Sequence, residues 1–378
     1  MVPRAMSWDE VYKKIFAKAS FNEKFFRDVE YQGYKRTWVT WPMLEKKIGR
    51  KRPSEYQAVS YALSYWSPDP NSPTYRYLGT PFELGTDYHI QKWYIYFRDR
   101  SPLVSAVVQG GGWHDYHDPH ELVYWKYNTM MDEEETFVDR LLEQIVATKH
   151  DTKLSEELLK FYRDYYDPLR FVWHAMQMHC AYLSQMAPTS TVLNIFTFMA
   201  MDYLRRVQRI AQRVKMLDIV YPEFGFGRAG RRQFEEDPHL QPTRQVLEQM
   251  LVAYDYTEAL ASFALAVKPA LDAIYLSGFA KLAELNGDRY LGQIHLSFLK
   301  DSQRHRDQLV ALFKYAFEKA PSAKDVVRGI ADRWRRAVRD AARALGPVLE
   351  SMPAKLPLDA VVAEVEEEWR RLDSDIGL

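Results

Sequence analysis

The stretch "FTFMAMDYLRRVQRI", from Phe196 to Ile210, decides the fold of this chain. Its apolar residues recur at the spacing of an α-helix, yet Asp202, Arg205 and Arg206 stand beside its most hydrophobic turn. A second stretch, "FLKDSQRHRDQ" from Phe298 to Gln308, repeats the pattern of Asp, two residues, Arg and a basic residue. Two such helices predict a helical bundle with a charged layer inside it.

The composition restricts the class of protein. The 378 residues include 51 Lys plus Arg and 51 Asp plus Glu, so no net charge favours nucleic acid or an anionic membrane surface as a partner. The single cysteine, Cys180, excludes an intramolecular disulfide and is typical of a reducing cytosol. The sequence shows no signal peptide and no apolar run of about 18 residues, which predicts a soluble cytoplasmic protein without a membrane segment.

Residues 1–128 differ in composition from the rest of the chain. They hold seven of the ten tryptophans and are broken by prolines, as in "SPDPNSPTYRYLGTP". We therefore predict short helices and an extended arm that packs either on the chain's own helical body or on another subunit. The candidates for a subunit interface are Trp38, Trp41, Tyr56, Tyr61, Trp66 and Trp113.

Helical periodicity dominates from residue 129 onward. "DEEETFVDRLLEQIVAT" opens with acidic residues, and later helices are predicted to begin after Asp167 and at Thr189. A long apolar helix should kink near Pro269, and "NGD" marks the next break. With no credible strand alternation, the sequence predicts an all-α, bundle-type fold with a bundle over 129–320 and C-terminal helices over 321–378.

Two motifs invite a metal-site hypothesis. His114, His117 and His120 lie three residues apart, but an Asp-Pro pair interrupts them, so they share no helical face. The Glu-x-x-His pattern of carboxylate-bridged iron in helical bundles occurs only once, from Glu236 to His239, beside a proline. Nucleophile and phosphate-loop motifs are also missing, so the bundle offers no obvious chemistry of its own.

The opening stretch also carries a family resemblance. Di-iron bundles use Asp-Glu-x-x-His with Arg before the His, and "MDYLRR" keeps this frame with Tyr203 and Arg206 at the Glu and His places. "KDSQRH" has Ser302 at the Glu place. With phrases such as "RKRPSEYQAVSYALSY", "YPEFGFG" and "AVKPALDAI" in the same order, the chain resembles the β subunit of the hydroxylase of bacterial multicomponent di-iron monooxygenases, within the toluene, aromatic and alkene group.

The resemblance implies a ferritin-like fold whose iron ligands have been replaced. The implied degenerate iron-site positions are Tyr203, Arg206, Lys268, Ser302 and His305. Trp173 matches the first ligand position more loosely. Asp202, Asp301 and Arg304 would then form a buried charge layer that replaces metal–ligand bonds with ion pairs. The alternative is that Arg205, Arg206 and Arg209 form a solvated basic stripe on the helix surface.

The resemblance also implies a function. The chain would be a non-catalytic scaffold without a cofactor, and non-haem di-iron would lie in the partner α subunit of a dimer of αβγ units. A reductase using NAD(P)H, a ferredoxin and an effector protein would complete the system, with a hydrocarbon as substrate. Two alternatives stay open: a helical adaptor unrelated to oxygenases, and a stand-alone metal oxidase with atypical ligands, namely His174, His179, His305, Asp202 and Glu258.

Overall fold

The computed structural model describes residues 29–31, 34–36, 56, 97–98, 100–113 and 115–378. Four of the predicted interface residues, Trp38, Trp41, Tyr61 and Trp66, lie outside the described residues, as does His114. The described part is an all-α bundle, which confirms the predicted fold class. It also contains one short antiparallel hairpin, β1 (Val29–Tyr31) with β2 (Tyr34–Arg36), which the sequence analysis did not predict.

The helices follow one another through short connections. In chain order they are α1 (Pro102–Gln109), α2 (Tyr124–Ala147), α3 (Glu156–Phe161, continued by a π-helical turn at Tyr162–Tyr166), α4 (Leu169–Gln185), α5 (Ser190–Val220), α6 (Gly230–Glu236), α7 (Gln241–Leu251), α8 (Tyr256–Leu285), α9 (Arg289–Lys319), α10 (Lys324–Ala344), α11 (Gly346–Leu349) and α12 (Leu358–Ile376). Short 3-10 turns lie at His150–Lys153, Pro222–Phe224 and Pro321–Ala323.

Capping residues in the sequence fix where the central helices begin. The Thr189 hydroxyl accepts a hydrogen bond from the backbone N–H of Val192 at the start of α5. The Asp288 carboxylate accepts from the N–H groups of Tyr290 and Leu291 at the start of α9. The predicted apolar face of α4, which includes Trp173, is fully buried against α5 and the rest of the bundle. The four helices α4, α5, α8 and α9 thus enclose the core.

Helix α8 passes through its proline without ending. Instead of a simple kink near Pro269, it contains two π-helical segments, Phe263–Val267 and Asp272–Gly278. Proline has no N–H, so it leaves a carbonyl one turn earlier without its usual donor. Donors on the C-terminal helices reach this region: Arg335 Nε donates to the Leu265 oxygen at 3.0 Å and Trp369 Nε1 to the Ala266 oxygen at 2.9 Å. The helices α10 and α12 therefore complete the backbone hydrogen bonding of α8.

Helix α8 is also apolar enough to span a membrane. Its 30 residues reach a mean hydropathy of 1.5 over an 18-residue window, although the sequence was expected to contain no such segment. All of that window is buried inside the protein, which is the environment of a core helix.

The structure differs from two predictions about the first third of the chain. The predicted boundary between residues 128 and 129 falls inside α2, which begins at Tyr124 rather than at the acidic run.

Trp113 and Tyr56 are not on a surface that a partner could contact, because they are 0% and 2% exposed in the core of this chain. The Tyr56 hydroxyl accepts from the backbone N–H of Asp118 at 3.0 Å, and Trp113 packs near Tyr315 on α9. These two aromatic side chains fill the chain's own core, whereas Tyr124 and Trp125 are exposed.

Candidate functional site: a buried charged layer

Asp202 on α5 lies at the centre of the charged layer. It is 0% exposed and accepts three hydrogen bonds: from the Tyr127 hydroxyl at 2.7 Å, from Arg304 Nη2 at 2.6 Å and from His305 Nε2 at 2.7 Å. The three donors come from α2 and α9, so one carboxylate joins three helices. A buried carboxylate is tolerated only when it is paired and hydrogen-bonded in this way.

Asp301 on α9 extends the layer toward α2. It accepts from Arg205 Nη1 at 2.7 Å and from both terminal nitrogens of Arg304 at 3.3 Å. Arg205 continues to Ser297 at 2.5 Å and pairs with Glu135 on α2. Each cation therefore bridges two acceptors on different helices, which fixes the relative register of those helices.

Arg206 and Lys268 form the other half of the layer. Arg206 Nη1 donates to Asp272 at 3.2 Å and its Nη2 donates to the Ser302 hydroxyl at 2.8 Å. Lys268 Nζ donates to the other oxygen of Asp272 at 2.6 Å and to the Ser302 carbonyl at 3.4 Å. The Arg206 guanidinium also lies 4.8 Å from the centre of the Tyr203 ring. Helices α5, α8 and α9 meet here.

Burial and neighbouring charges shift the pKa values of two carboxyl groups in the layer in opposite directions. Burial raises the pKa of Asp272, but the charges of Lys268 and Arg206 outweigh it, so that the pKa lies below its ordinary value. Burial, together with the nearby Asp202 carboxylate, raises the pKa of Asp301 to about 6 against the lowering effect of Arg205.

His305 is neutral in this environment. Burial and the neighbouring cations, first Lys268, lower the pKa of His305 well below its ordinary value. Since its Nε2 faces the Asp202 carboxylate, the neutral ring donates from that nitrogen.

The structure thus brings together the side chains that the sequence singled out. Hydrogen bonds and ring contacts, including one of 5.7 Å between the Tyr203 and His305 rings, join these side chains in one layer: Tyr203, Arg206, Lys268, Ser302 and His305 with Asp202, Asp301 and Arg304. Trp173 joins them, since the Arg206 guanidinium lies 5.1 Å from its ring centre. The alternative of a solvated basic stripe is wrong, because Arg205, Arg206 and Arg209 are only 6%, 0% and 9% exposed. That these positions derive from iron ligands remains a proposal.

A second buried ionic cluster escaped the sequence analysis. Arg213 on α5 is 1% exposed and binds both oxygens of Asp151 at 2.6 and 2.7 Å. It also lies 3.6 Å from Asp288, which accepts from the Tyr162 hydroxyl at 2.8 Å and contacts His150 at 3.1 Å. Arg213 follows the earlier arginines of α5 at helical spacing, and this periodicity was the available signal.

Within the described residues, which leave out His114, the side chains of the two other histidine-based hypotheses do not meet in one site. His117 contacts Glu121 at 2.9 Å, whereas His120 contacts Asp307 at 3.1 Å, so each imidazole has a different carboxylate. Of the stand-alone oxidase set, only Asp202 and His305 touch. The others point elsewhere: His179 Nε2 bonds the Ala259 carbonyl, Glu258 pairs with Arg333, and His174 is exposed on α4.

The charged layer does not fit a di-iron centre. Iron in a bundle needs carboxylate oxygens and imidazole nitrogens with free lone pairs. Arg206 and Lys268 offer only donors and positive charge. Asp202 is already hydrogen-bonded by Tyr127, Arg304 and His305, and Asp301 is paired with Arg205 and Arg304. Within the described residues, no group of three or more His, Cys, Asp or Glu side chains is arranged to hold a metal.

The family of this chain follows from its similarity to known proteins. Residues 93–320 match the family model described as Methane/Phenol/Alkene Hydroxylase. The chain belongs to the methane, phenol and alkene hydroxylase family. It is 35% identical to the hydroxylase component subunit beta of the toluene-4-monooxygenase system of Ectopseudomonas mendocina. The alignment of 323 residues covers 85% of this chain and 94% of that relative.

Solved structures agree with this assignment. Toluene 4-monooxygenase hydroxylase, solved with toluene in the resting active site, matches with a TM-score of 0.71 and 33% identity over 84% of this chain and 98% of that chain. Xenon-pressurised phenol hydroxylase from Pseudomonas sp. OX1 shares the fold, with a TM-score of 0.67 over 91% of this chain and 98% of that chain, at 18% identity. The hydroxylase family member described here is therefore a β-type chain, which confirms the resemblance found in the sequence.

Proposed function

We propose that this β-type chain is a non-catalytic scaffold in a multicomponent di-iron monooxygenase. The observation that carries the proposal is the layer of four cations and four carboxylates built from Arg205, Arg206, Arg304 and Lys268 with Glu135, Asp202, Asp272 and Asp301. It occupies the centre of a ferritin-like bundle, where family members that activate oxygen would hold metal. Ion pairs in that place link the helices without offering a ligand sphere.

Charge balance gives a physical reason for the exchange. Two iron ions stabilise a bundle centre by neutralising carboxylates that would otherwise repel one another. Here the Arg206 guanidinium and the Lys268 ammonium neutralise Asp272, and Arg304 neutralises Asp202. Such pairs add little net stability relative to apolar side chains but penalise any register that breaks them. The proposed role of the layer is therefore to keep the scaffold in one arrangement.

The partners and cofactors of the proposal follow from the family. The partner α subunit would carry the non-haem di-iron centre, with a γ subunit completing a dimer of αβγ units in the cytoplasm. Electrons from NAD(P)H would arrive through a reductase and a ferredoxin, and an effector protein would regulate the cycle. The substrate would be a hydrocarbon, with an aromatic compound or an alkene favoured by the toluene-oxidising relative.

Metal content and assembly test the proposal together. The chain should be expressed alone and together with the α and γ subunits of the same hydroxylase. We expect the chain alone to be poorly soluble and to bind no stoichiometric iron, whereas the co-expressed assembly should be soluble and carry its iron in the α subunit. The measurements are native mass spectrometry and metal analysis of the separated subunits.

Two results would contradict the proposal. Stoichiometric iron or manganese in the isolated chain, lost on mutation of Asp202 and His305, would favour the stand-alone oxidase. A well-folded monomer that fails to associate with the iron-bearing subunit would favour a separate adaptor protein.

A further inference from the structure

A cavity adjoins the charged layer on the side of the C-terminal helix. It has a volume of about 230 Å³ and lies between α8, α9 and α12. Its innermost lining residues are Lys268, Asp272 and Ser302, which are 4%, 8% and 7% exposed. Its outer lining includes the side chains of Glu364 and Glu368 on α12, which are 33% and 29% exposed. The cavity therefore leads from the surface to a buried ammonium group.

At the inner end of the cavity, two cations share one carboxylate. Lys268 lies 2.6 Å and Arg206 3.2 Å from Asp272, although the four cations and four carboxylates of the whole layer balance. Asp272 stays ionised, since its neighbours lower its pKa. The Lys268 ammonium has three N–H groups, and within the described part of the chain its acceptors are Asp272 and, at 3.4 Å, the Ser302 carbonyl. One N–H is left for a ligand.

The walls and the mouth restrict what the ligand can be. The wall residues Pro269, Ala273 and Leu372 are apolar. At the mouth, Glu364 accepts from Ser277 at 2.7 Å and from Lys281 at 2.6 Å. Glu368 lies 3.1 Å from Arg371, which also pairs with Glu367 at 2.7 Å, and 3.9 Å from the lining residue Arg306. Both carboxylates therefore have cations beside them. The volume is below the roughly 300–1,000 Å³ of pockets for drug-sized ligands, which excludes nucleotide-type cofactors.

We propose that this cavity binds a small organic anion, namely a monocarboxylate with a short apolar body such as benzoate. Its carboxylate would accept the free N–H of Lys268, and its apolar part would lie against Pro269, Ala273 and Leu372. The Lys268 ammonium at the inner end favours an anion over a neutral molecule of the same shape, because a charge-assisted hydrogen bond is stronger than a neutral one. This site lies within the β-type chain and is independent of its proposed scaffold role.

The test uses the full-length chain in whatever assembly it purifies with, and benzoate as the probe. Titration calorimetry should show saturable binding of benzoate and binding about tenfold or more weaker for the neutral isostere benzamide, a preference typical of a charge-assisted hydrogen bond. A crystal soaked with 4-bromobenzoate should show an anomalous bromine peak in the cavity, with the carboxylate at Lys268 Nζ.

Two variants locate the binding. Ala273→Leu adds bulk to the apolar wall and keeps every charge of the ion group, and Lys268→Met removes the ammonium; each should weaken benzoate binding by about tenfold or more. Ala181→Leu, at an exposed position of α4, is the matched control and should bind like the wild type. If Lys268→Met fails to fold, Ala273→Leu alone decides. No binding by the wild type, binding of benzamide equal to benzoate, or binding that Ala273→Leu leaves unchanged would overturn the proposal.

Discussion

The replacement Asp202→Asn tests the charged layer most directly. Asparagine has nearly the same shape, but it removes the charge that the buried Arg304 requires and replaces one acceptor oxygen with a donor. Asp202 is 0% exposed and accepts from Tyr127, Arg304 and His305 at 2.6 to 2.7 Å. Removing one partner of a buried pair costs about 3–5 kcal/mol, because it leaves an uncompensated charge inside the protein.

The expected size of the effect follows from the length of the chain. The entropy of unfolding is about 2.1 cal/mol/K per residue, or about 0.8 kcal/mol/K for 378 residues. A loss of about 4 kcal/mol should therefore lower the melting temperature by about 5 °C. The measurement is differential scanning calorimetry of wild type and variant in the same assembly, with the α-helix signal in circular dichroism followed in parallel.

An ion pair with an exposed carboxylate provides the matched control. Asp139 pairs with Arg209 at 2.5 Å but its side chain is 55% exposed, so Asp139→Asn should cost about 0–1 kcal/mol. Combining Asp202→Asn with Arg304→Gln should cost less than the two single changes together, because the second change removes the orphaned cation. Equal melting temperatures for the two Asp→Asn variants, or strictly additive losses in the double variant, would refute the idea that the layer is held by buried charge pairing.

Three further predictions concern other parts of the chain. Trp369→Phe leaves the Ala266 carbonyl without its donor and should cost about 1–3 kcal/mol, measured by thermal unfolding. The pKa of Asp288 is lowered to about 2 because hydrogen bonds and nearby charges outweigh burial, so its stabilising effect is complete at neutral pH and is lost as the pH falls toward 2. The free energy of unfolding of Asp288→Asn should therefore be about 2 kcal/mol lower than that of the wild type near pH 7. Urea unfolding at decreasing pH should show that this difference becomes smaller. Gly110→Ala should prevent normal packing, since a Cβ there would lie 1.9 Å from a backbone oxygen of α9, whereas Gly329→Ala in open space should be neutral or stabilising in the same unfolding assay.

Local sequence patterns were enough to predict the fold class and the start of several helices, although α2 begins earlier than predicted and α7 and α8 are two helices instead of one. Apolar residues at helical spacing and capping residues such as Thr189 and Asp288 act within a few residues of the chain, so they can be recognised without knowing what packs nearby. The same local frame around Asp202 and Asp301 identified the charged residues and the family resemblance.

Which charged side chains meet could not be predicted from these local patterns. The partners of Asp202 lie 75 to 103 residues away along the chain, and periodicity cannot tell a buried arginine from a solvated one. The aromatic residues Trp113 and Tyr56 illustrate the same limit, because an apolar ring buried in its own core and one buried at an interface look alike in sequence. The desolvation of a buried charge is offset only by ion pairs and hydrogen bonds from other helices, and these partners come together only when the helices pack.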